Sequence, residues 1–353
     1  LYVRLVLEHM ADTKKEHYVP RCYLENFSTE QKRIDVFDKW KLEIRPQQKL
    51  MDVAMENGFY DLDLSDAFEA LEPSVREKAM ADLLELPEVE SWEDIRVIME
   101  NKKYIEKEHF AKIEGHYSTL LKLIIQKSYN GNHWVLQNCN AMSESEKLLL
   151  SLFIAIQFIR TRSFRDNLGD MFEKFIEAMA YKSQMNDEDA SPKDAFRCEV
   201  DPEYIKLQHS AMIIDPDMAV HFAETFSDHV WVVYYNKTDV PFYTSDSPVV
   251  NIPHKSDSFR SYAGFASEGI EIAFPLSRKL LLCMYDRNTI GNCFKDRQFY
   301  EVADRKAVEY YNMWQVVNCY RCVFSIGSDF LSAKKMCEDN PELQKYQSRV
   351  QVT

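Results

Sequence analysis

The hydrophobic periodicity of this chain changes twice along its length, and that double change constrains the fold more than any other feature. Ile34 to Asp38 and Leu42 to Arg45 alternate around Lys39-Trp40 as the arms of a β-hairpin do, and Gly58 to Leu64 reads as a third short strand. From Asp66 to Phe226 the pattern is mainly helical. Val230 to Tyr235, Phe242 to Tyr243, Val249 to Ile252, Ile270 to Phe274 and Leu280 to Tyr285 then read as strands. A helix from about Asp304 to Asn318, a strand at Cys322 to Ile326 and a polar helical tail complete the chain. A helical middle between strand-rich ends predicts an α+β fold: the helices pack on a mixed or antiparallel sheet built from N- and C-terminal strands. Residues 10–353 then form a single domain, with the helical middle at about 66–226 and the strand-rich part at about 229–327. Residues 1–9 read as a vector-derived leader, because His9-Met10 is what a cloning junction leaves before a native start.

Helix boundaries are readable within the middle. Pro73 suits a first turn and Pro87 marks a break. Ser143-Glu-Ser-Glu146 is a capping box for a helix expected to run to about Asp166, with another from Asp170 to about Tyr181. Met185 to Asp194 is polar and reads as a linker, and Glu203 to Phe226 reads as helix interrupted at Pro216.

Composition excludes several classes. Apolar residues make up 46%, enough for a core, and the eight glycines form neither of the phosphate-cradling motifs of nucleotide-binding folds. No nucleotide cofactor is therefore expected. The net charge of −14 disfavours duplex nucleic acid and anionic membranes as partners, though a local basic groove stays open. The longest apolar run, Leu148 to Ile159, is too short for a bilayer, which needs about 20 residues. Eight scattered cysteines and no signal peptide read as a cytosolic chain with reduced thiols. Cys319 and Cys322 have C-x-x-C spacing but no matching second pair, so they are expected as buried small apolar residues.

Five short motifs carry a family likeness. Residues 16–28 read EHYVPRCYLENFS; Ala155 to Arg165 reads AIQFIRTRSFR; Phe242 to Val249 reads FYTSDSPV; Phe274 to Ser277 reads FPLS; and Asn312 precedes an apolar run that ends in VFS at Val323 to Ser325. In this order they resemble domain of unknown function 4238, a mostly bacterial family. The likeness spans roughly Lys15 to Ile326, with Arg278 standing where a proline is expected. It implies a family but no reaction.

Candidate site residues follow from the motifs and from helical projection. Gln157, Arg160, Thr161 and Phe164 fall on one helix face, where an apolar stripe turns polar. Arg160 can bind a carboxylate or phosphate with two parallel hydrogen bonds, or pair with a core carboxylate such as Glu106 or Glu114. Glu106 and Glu114 lie on or beside the apolar face of the helix from about Lys103 to Gln126, and a frayed, solvated first turn is the plainer place for Glu106. Arg162 and Arg165 are expected to face solvent or the linker. His17, flanked by Tyr18 and Arg21, reads either as a proton-moving residue with a pKa of about 6.5 or as a lock on the Val19-Pro20 turn. Ser245 and Asp246 end a strand; Asp246 either closes an Asx-type turn or orients His17 or a metal.

Two readings of function follow. In one, His17, Asp246 and Glu114 are catalytic, while Arg160, Gln157, Thr161, Tyr18, Arg21 and Ser245 bind substrate. The protein is then a hydrolase or effector enzyme acting on a phosphoester or nucleic-acid-related substrate, with room for a divalent cation. In the other, the same residues form a structural polar network in a non-catalytic module that binds a ligand or partner.

Overall fold

The computed structural model describes residues 15–61, 105–130, 139–185, 198–256, 261–327 and 329–346, together with Pro73, Glu77, Ala81, Ser91 and Lys103. The leader, most of the segment around Pro73 and Pro87, and most of the linker expected at Met185 to Asp194 lie outside the described residues.

The chain enters through β1 (Lys15–His17) and a helical turn, α1 (Arg21–Leu24). β2 (Arg33–Asp38) and β3 (Glu43–Lys49) form the expected hairpin. β4 (Met55–Asn57) pairs antiparallel with β1. Of the strand expected at Gly58 to Leu64, residues 62–64 lie outside the described residues, and the described part is not a strand: Gly58, at φ +64, turns the chain out of the sheet, and Phe59 and Tyr60 bury in an aromatic cluster.

The helical middle comprises α2 (Ala111–Asn130), preceded by a π-helical segment Ile105–Phe110, then α3 (Glu144–Ile159), α4 (Arg162–Met185), α5 (Pro202–Ile214) and α6 (Pro216–Asp228). The capping box at Ser143 and Glu146 is formed in both directions. Asp201 and Asp215 cap α5 and α6 ahead of Pro202 and Pro216, so the expected interruption at Pro216 becomes two helices. The helix expected to reach Asp166 ends sooner. It stops at Arg160, and Thr161 Oγ1 accepts from Phe164 N at 3.3 Å, capping α4 in turn. This break aims Arg160 and Thr161 in different directions.

The remaining elements are β5 (Val230–Asn236), β6 (Thr244–Ser245), β7 (Val250–Pro253), β8 (Ile270–Ser277), β9 (Leu280–Tyr285), β10 (Gln298–Val302), α7 (Arg305–Asn318), β11 (Cys322–Ser325) and α8 (Leu331–Asp339). They build a five-stranded sheet in the order β10-β5-β9-β8-β7, mixed because β10 runs parallel to β5. A second, antiparallel sheet runs β3-β2-β11-β6 and joins strands from the two ends of the chain. The fold is α+β, with the shared sheet as expected and a larger C-terminal sheet beside it. β8 and β9 are buried along their whole length, which explains their nearly continuous apolar sequences.

Tyr23 ties the halves together. It is fully buried, its hydroxyl lies 2.7 Å from Thr244 Oγ1, and it donates to the Pro275 carbonyl at 2.7 Å. Because the tyrosine proton goes to that carbonyl, Thr244 is the donor in the first contact. Val19, Tyr23, Leu24 and Phe27 are all buried, so much of the opening motif builds core.

Candidate functional site

The opening motif and the Gln-Arg-Thr face of α3 meet around the backbone of residues 17 and 18. Arg160 is buried, with 1% of its surface exposed. Its Nη1 donates to Glu114 Oε1 at 2.8 Å and its Nη2 donates to the His17 carbonyl. Its guanidinium lies 3.8 Å from the centre of the Phe110 ring, and Glu106 Oε2 is 3.9 Å from Nη2. Gln157 donates to the Tyr18 carbonyl at 3.4 Å, and Tyr60 donates from its hydroxyl to the Arg160 carbonyl at 2.7 Å. The arginine thus serves two carboxylates, a carbonyl and an aromatic face within the protein.

Electrostatics follow from this burial. Desolvation, then the charges of Arg21 and Arg160, push His17 down to about 4, so its ring is neutral at pH 7. Desolvation raises Glu106, which accepts from the His17 amide at 3.3 Å; it corrects the solvated first turn expected there, since its side chain is only 19% exposed. Arg21 is exposed and acts on His17 and Glu106 through its charge. His17 Nε2, Gln157 Oε1, Arg160 Nε and Tyr117 Oη are buried without a hydrogen-bond partner, so this packed region carries unspent polar capacity.

Asp246 is held elsewhere. Its carboxylate accepts from three successive backbone amides, Tyr320 at 2.7 Å, Arg321 at 2.8 Å and Cys322 at 2.7 Å. Burial pushes its pKa up to about 6 against these donors. It fastens the α7–β11 connection. No hydrogen bond or ion pair between Asp246 and His17 is found among the described residues. Burial, and after it the Asp246 charge, raises the pKa of the Tyr18 hydroxyl well above the ordinary value. Ser245 donates to Gln315 Oε1 at 2.8 Å, on the side of α7.

Arg165, expected near solvent, is largely enclosed. It donates to Nδ1 of the fully buried His209 at 3.0 Å and to the Phe59 carbonyl at 2.8 Å, and burial pushes it down to about 10. Arg162 is 32% exposed and is paired with Glu56 at 2.6 Å and Asp166 at 3.0 Å. Cys319 is fully buried and Cys322 is half-buried. Among the described residues, no group of three or more His, Cys, Asp or Glu side chains is arranged to hold a metal ion.

Sequence reasoning did not anticipate two features. Glu16 is fully buried beside His17; it accepts from Tyr60 N and from Lys103 Nζ at 3.1 Å, and burial and the nearby Asp61 carboxyl hold it above the usual carboxylate range. The second is a run of hydroxyls joining two motifs. Thr161 Oγ1 lies 3.1 Å from Ser163 Oγ, which lies 2.7 Å from Ser247 Oγ. These three line a cleft of about 430 Å³ together with Leu343 and Tyr346, whose hydroxyl donates to Asn167 Oδ1 at 2.8 Å. Both serines stand inside quoted motifs, but neither their pairing nor the cleft has a local sequence signature.

The site is therefore a buried polar lock, where the opening motif meets the Gln-Arg-Thr face of α3, and a separate hydroxyl-lined cleft on an α+β scaffold. The chain belongs to the family described as protein of unknown function (DUF4238), whose profile matches residues 15–329. No curated protein and no solved structure matches it. Among the described residues, no helix is long and apolar enough to cross a membrane.

Proposed function

We propose that this protein is a non-catalytic module that binds a small ligand in the hydroxyl-lined cleft, with the charged motif residues holding the cleft walls in place. One observation carries the reading. Arg160 and Asp246 each spend their charge on partners inside the protein, while Thr161, Ser163 and Ser247 line a cleft of about 430 Å³. That volume falls within the usual range of ligand sites, roughly 300–1,000 Å³. A hydrolase would need a nucleophile and a base within hydrogen-bond reach. The hydroxyl run meets hydroxyls and a backbone carbonyl, and the His17 ring is neutral, with Nδ1 4.0 Å from Glu106. Phosphoester chemistry through His17, Arg160 and Asp246 requires all three to leave their present partners; binding in the cleft requires no rearrangement. The eight scattered cysteines fit the same protein in a reducing cytosol.

The test is a fragment screen by protein-observed NMR. Binders should shift the amides of Ser163, Ser247 and Asn251. Folded His17→Gln protein should bind the same fragments with unchanged affinity. Turnover of a phosphoester that His17→Gln abolishes, with its melting curve intact, would overturn the proposal.

A further inference from the structure

We infer that the groove between α7 and α8 docks a short basic peptide segment carrying an apolar anchor, independently of the hydroxyl-lined cleft. Helical spacing supplies the first wall: Glu309, Asn312, Met313 and Val316 stand at i, i+3, i+4 and i+7 on one face of α7. Ala333 and Met336 of α8, and Val240 and Pro241 of the β5–β6 connection, line the same groove. Its volume, about 550 Å³, falls within the usual range of binding pockets, roughly 300–1,000 Å³.

The groove is preformed. Asn312 accepts from Tyr243 N at 2.8 Å through Oδ1 and donates to the Pro241 carbonyl at 2.9 Å through Nδ2, which ties the β5–β6 connection to α7. Phe330, fully buried at the N-cap of α8, packs on Tyr243 at 5.0 Å and on Phe37 at 6.1 Å between ring centroids, which fixes where α8 starts. A partner meets walls that are already ordered, so docking is spared that entropic cost.

The interior suits an aliphatic anchor. Val316 and Ala333 are buried, Val240, Pro241 and Met336 are half-buried, and Met313 is 51% exposed. Methionine is unbranched and adapts to the shape of what it meets. Leu331, beside the lining residue Ser332, is 61% exposed, so apolar surface continues past the groove. That continuation favours a peptide, with one side chain in the groove and its neighbours along the rim, over a compact molecule held inside it.

Charge selects the flanks of the anchor. The lining carries three carboxylates, Asp239, Glu309 and Asp329, and one guanidinium, Arg305. Arg305 donates to Asp239 at 3.3 Å, and this exposed pair cancels. Asp329 Oδ1 accepts from Leu331 N at 3.1 Å, and the N-terminus of α8 offsets about half a charge there. Glu309 is exposed, and no ion pair to Glu309 or Asp329 is found among the described residues. Ser332, Asn312 and Tyr243 add only neutral polar groups. The balance is negative, and the net charge of −14 adds the same sign at longer range. Lysine or arginine beside the anchor is attracted, and an acidic peptide is repelled.

Fluorescence anisotropy on the full chain at physiological salt provides the test. The probe is labelled Lys-Lys-Leu-Met-Lys-Lys amide, with Lys-Lys-Ser-Ser-Lys-Lys and Glu-Glu-Leu-Met-Glu-Glu amides as controls. The first should bind about tenfold or more tightly than either control. Glu309→Lys and, separately, Met313→Ala should each weaken it about fivefold or more while the melting curve stays near wild type, and Glu309→Lys should also flatten its salt dependence. Equal binding of the serine control would reduce the effect to bulk charge and overturn the anchor. Binding untouched by both variants, or no binding of the probe, would overturn the groove as its site. Self-association in analytical ultracentrifugation that Met313→Ala abolishes would give the groove to a second copy of the chain and overturn the peptide.

Discussion

Arg160→Ala is the most informative single perturbation of the buried lock. Removing one member of a buried pair costs about 3–5 kcal/mol, because the other charge stays behind. Several losses coincide here. The His17 carbonyl loses its donor, Glu106 loses a neighbouring cation, and the 3.8 Å contact with Phe110, worth about 2 kcal/mol when desolvated, disappears. Glu114 is 28% exposed, so water recovers part of its share. These terms overlap, and the expected destabilisation is about 4 kcal/mol. At roughly 2 °C per kcal/mol for a large domain, the melting temperature should fall by about 8 °C. Arg160→Lys keeps a charge for Glu114 but cannot span Glu114 and the His17 carbonyl together, so it should recover less than half of the loss. Adding Glu114→Gln to Arg160→Ala should cost less than the two single changes together. The assay is urea unfolding of all four variants. A loss below about 1 kcal/mol for Arg160→Ala would refute the reasoning, since no buried pair could then be at stake.

His17 gives a pH test. Its folded pKa, about 4, lies below the unfolded value of 6.5, so its contribution is present above pH 6.5 and is lost as pH falls through 4. At about 1.4 kcal/mol per unit the wild type should lose roughly 3 kcal/mol relative to His17→Gln across that window, read as the difference between two stability–pH curves. Asp246→Asn leaves one carboxamide oxygen for three amides and should cost about 2 kcal/mol, with faster hydrogen exchange at Tyr320, Arg321 and Cys322. Lys39→Met removes the donor to the Val316 and Cys319 carbonyls at the C-terminal end of α7 and should cost about 2 kcal/mol in thermal unfolding.

The fold was legible where one local signal dominated. The capping box at Ser143, the proline starts at Pro202 and Pro216, and the apolar runs of β8 and β9 each fix an element within a few residues. It was less legible where tertiary contacts overrode periodicity. The helical projection through Gln157, Arg160, Thr161 and Phe164 assumed one continuous helix. The break at Arg160 sends the arginine to Glu114 and the threonine to the cleft, a choice made by Glu114 and Ser247 from distant parts of the chain. β10 was missed because an edge strand of five residues paired in parallel shows little alternation of its own.

The candidate residues divide along the same line. Residue type placed Arg160 facing inwards but left two partners open, an anionic ligand or a core carboxylate, and the structure pairs it with Glu114. It could not predict which acceptors would already be filled. Asp246 looks free to orient a histidine until the amides of Tyr320, Arg321 and Cys322 are seen around it. Ser247 looks like an ordinary turn serine until its proton is traced through Ser163 and Thr161 to the Phe158 carbonyl. Where charged side chains are spent inside the protein, their ability to recognise a ligand is spent as well.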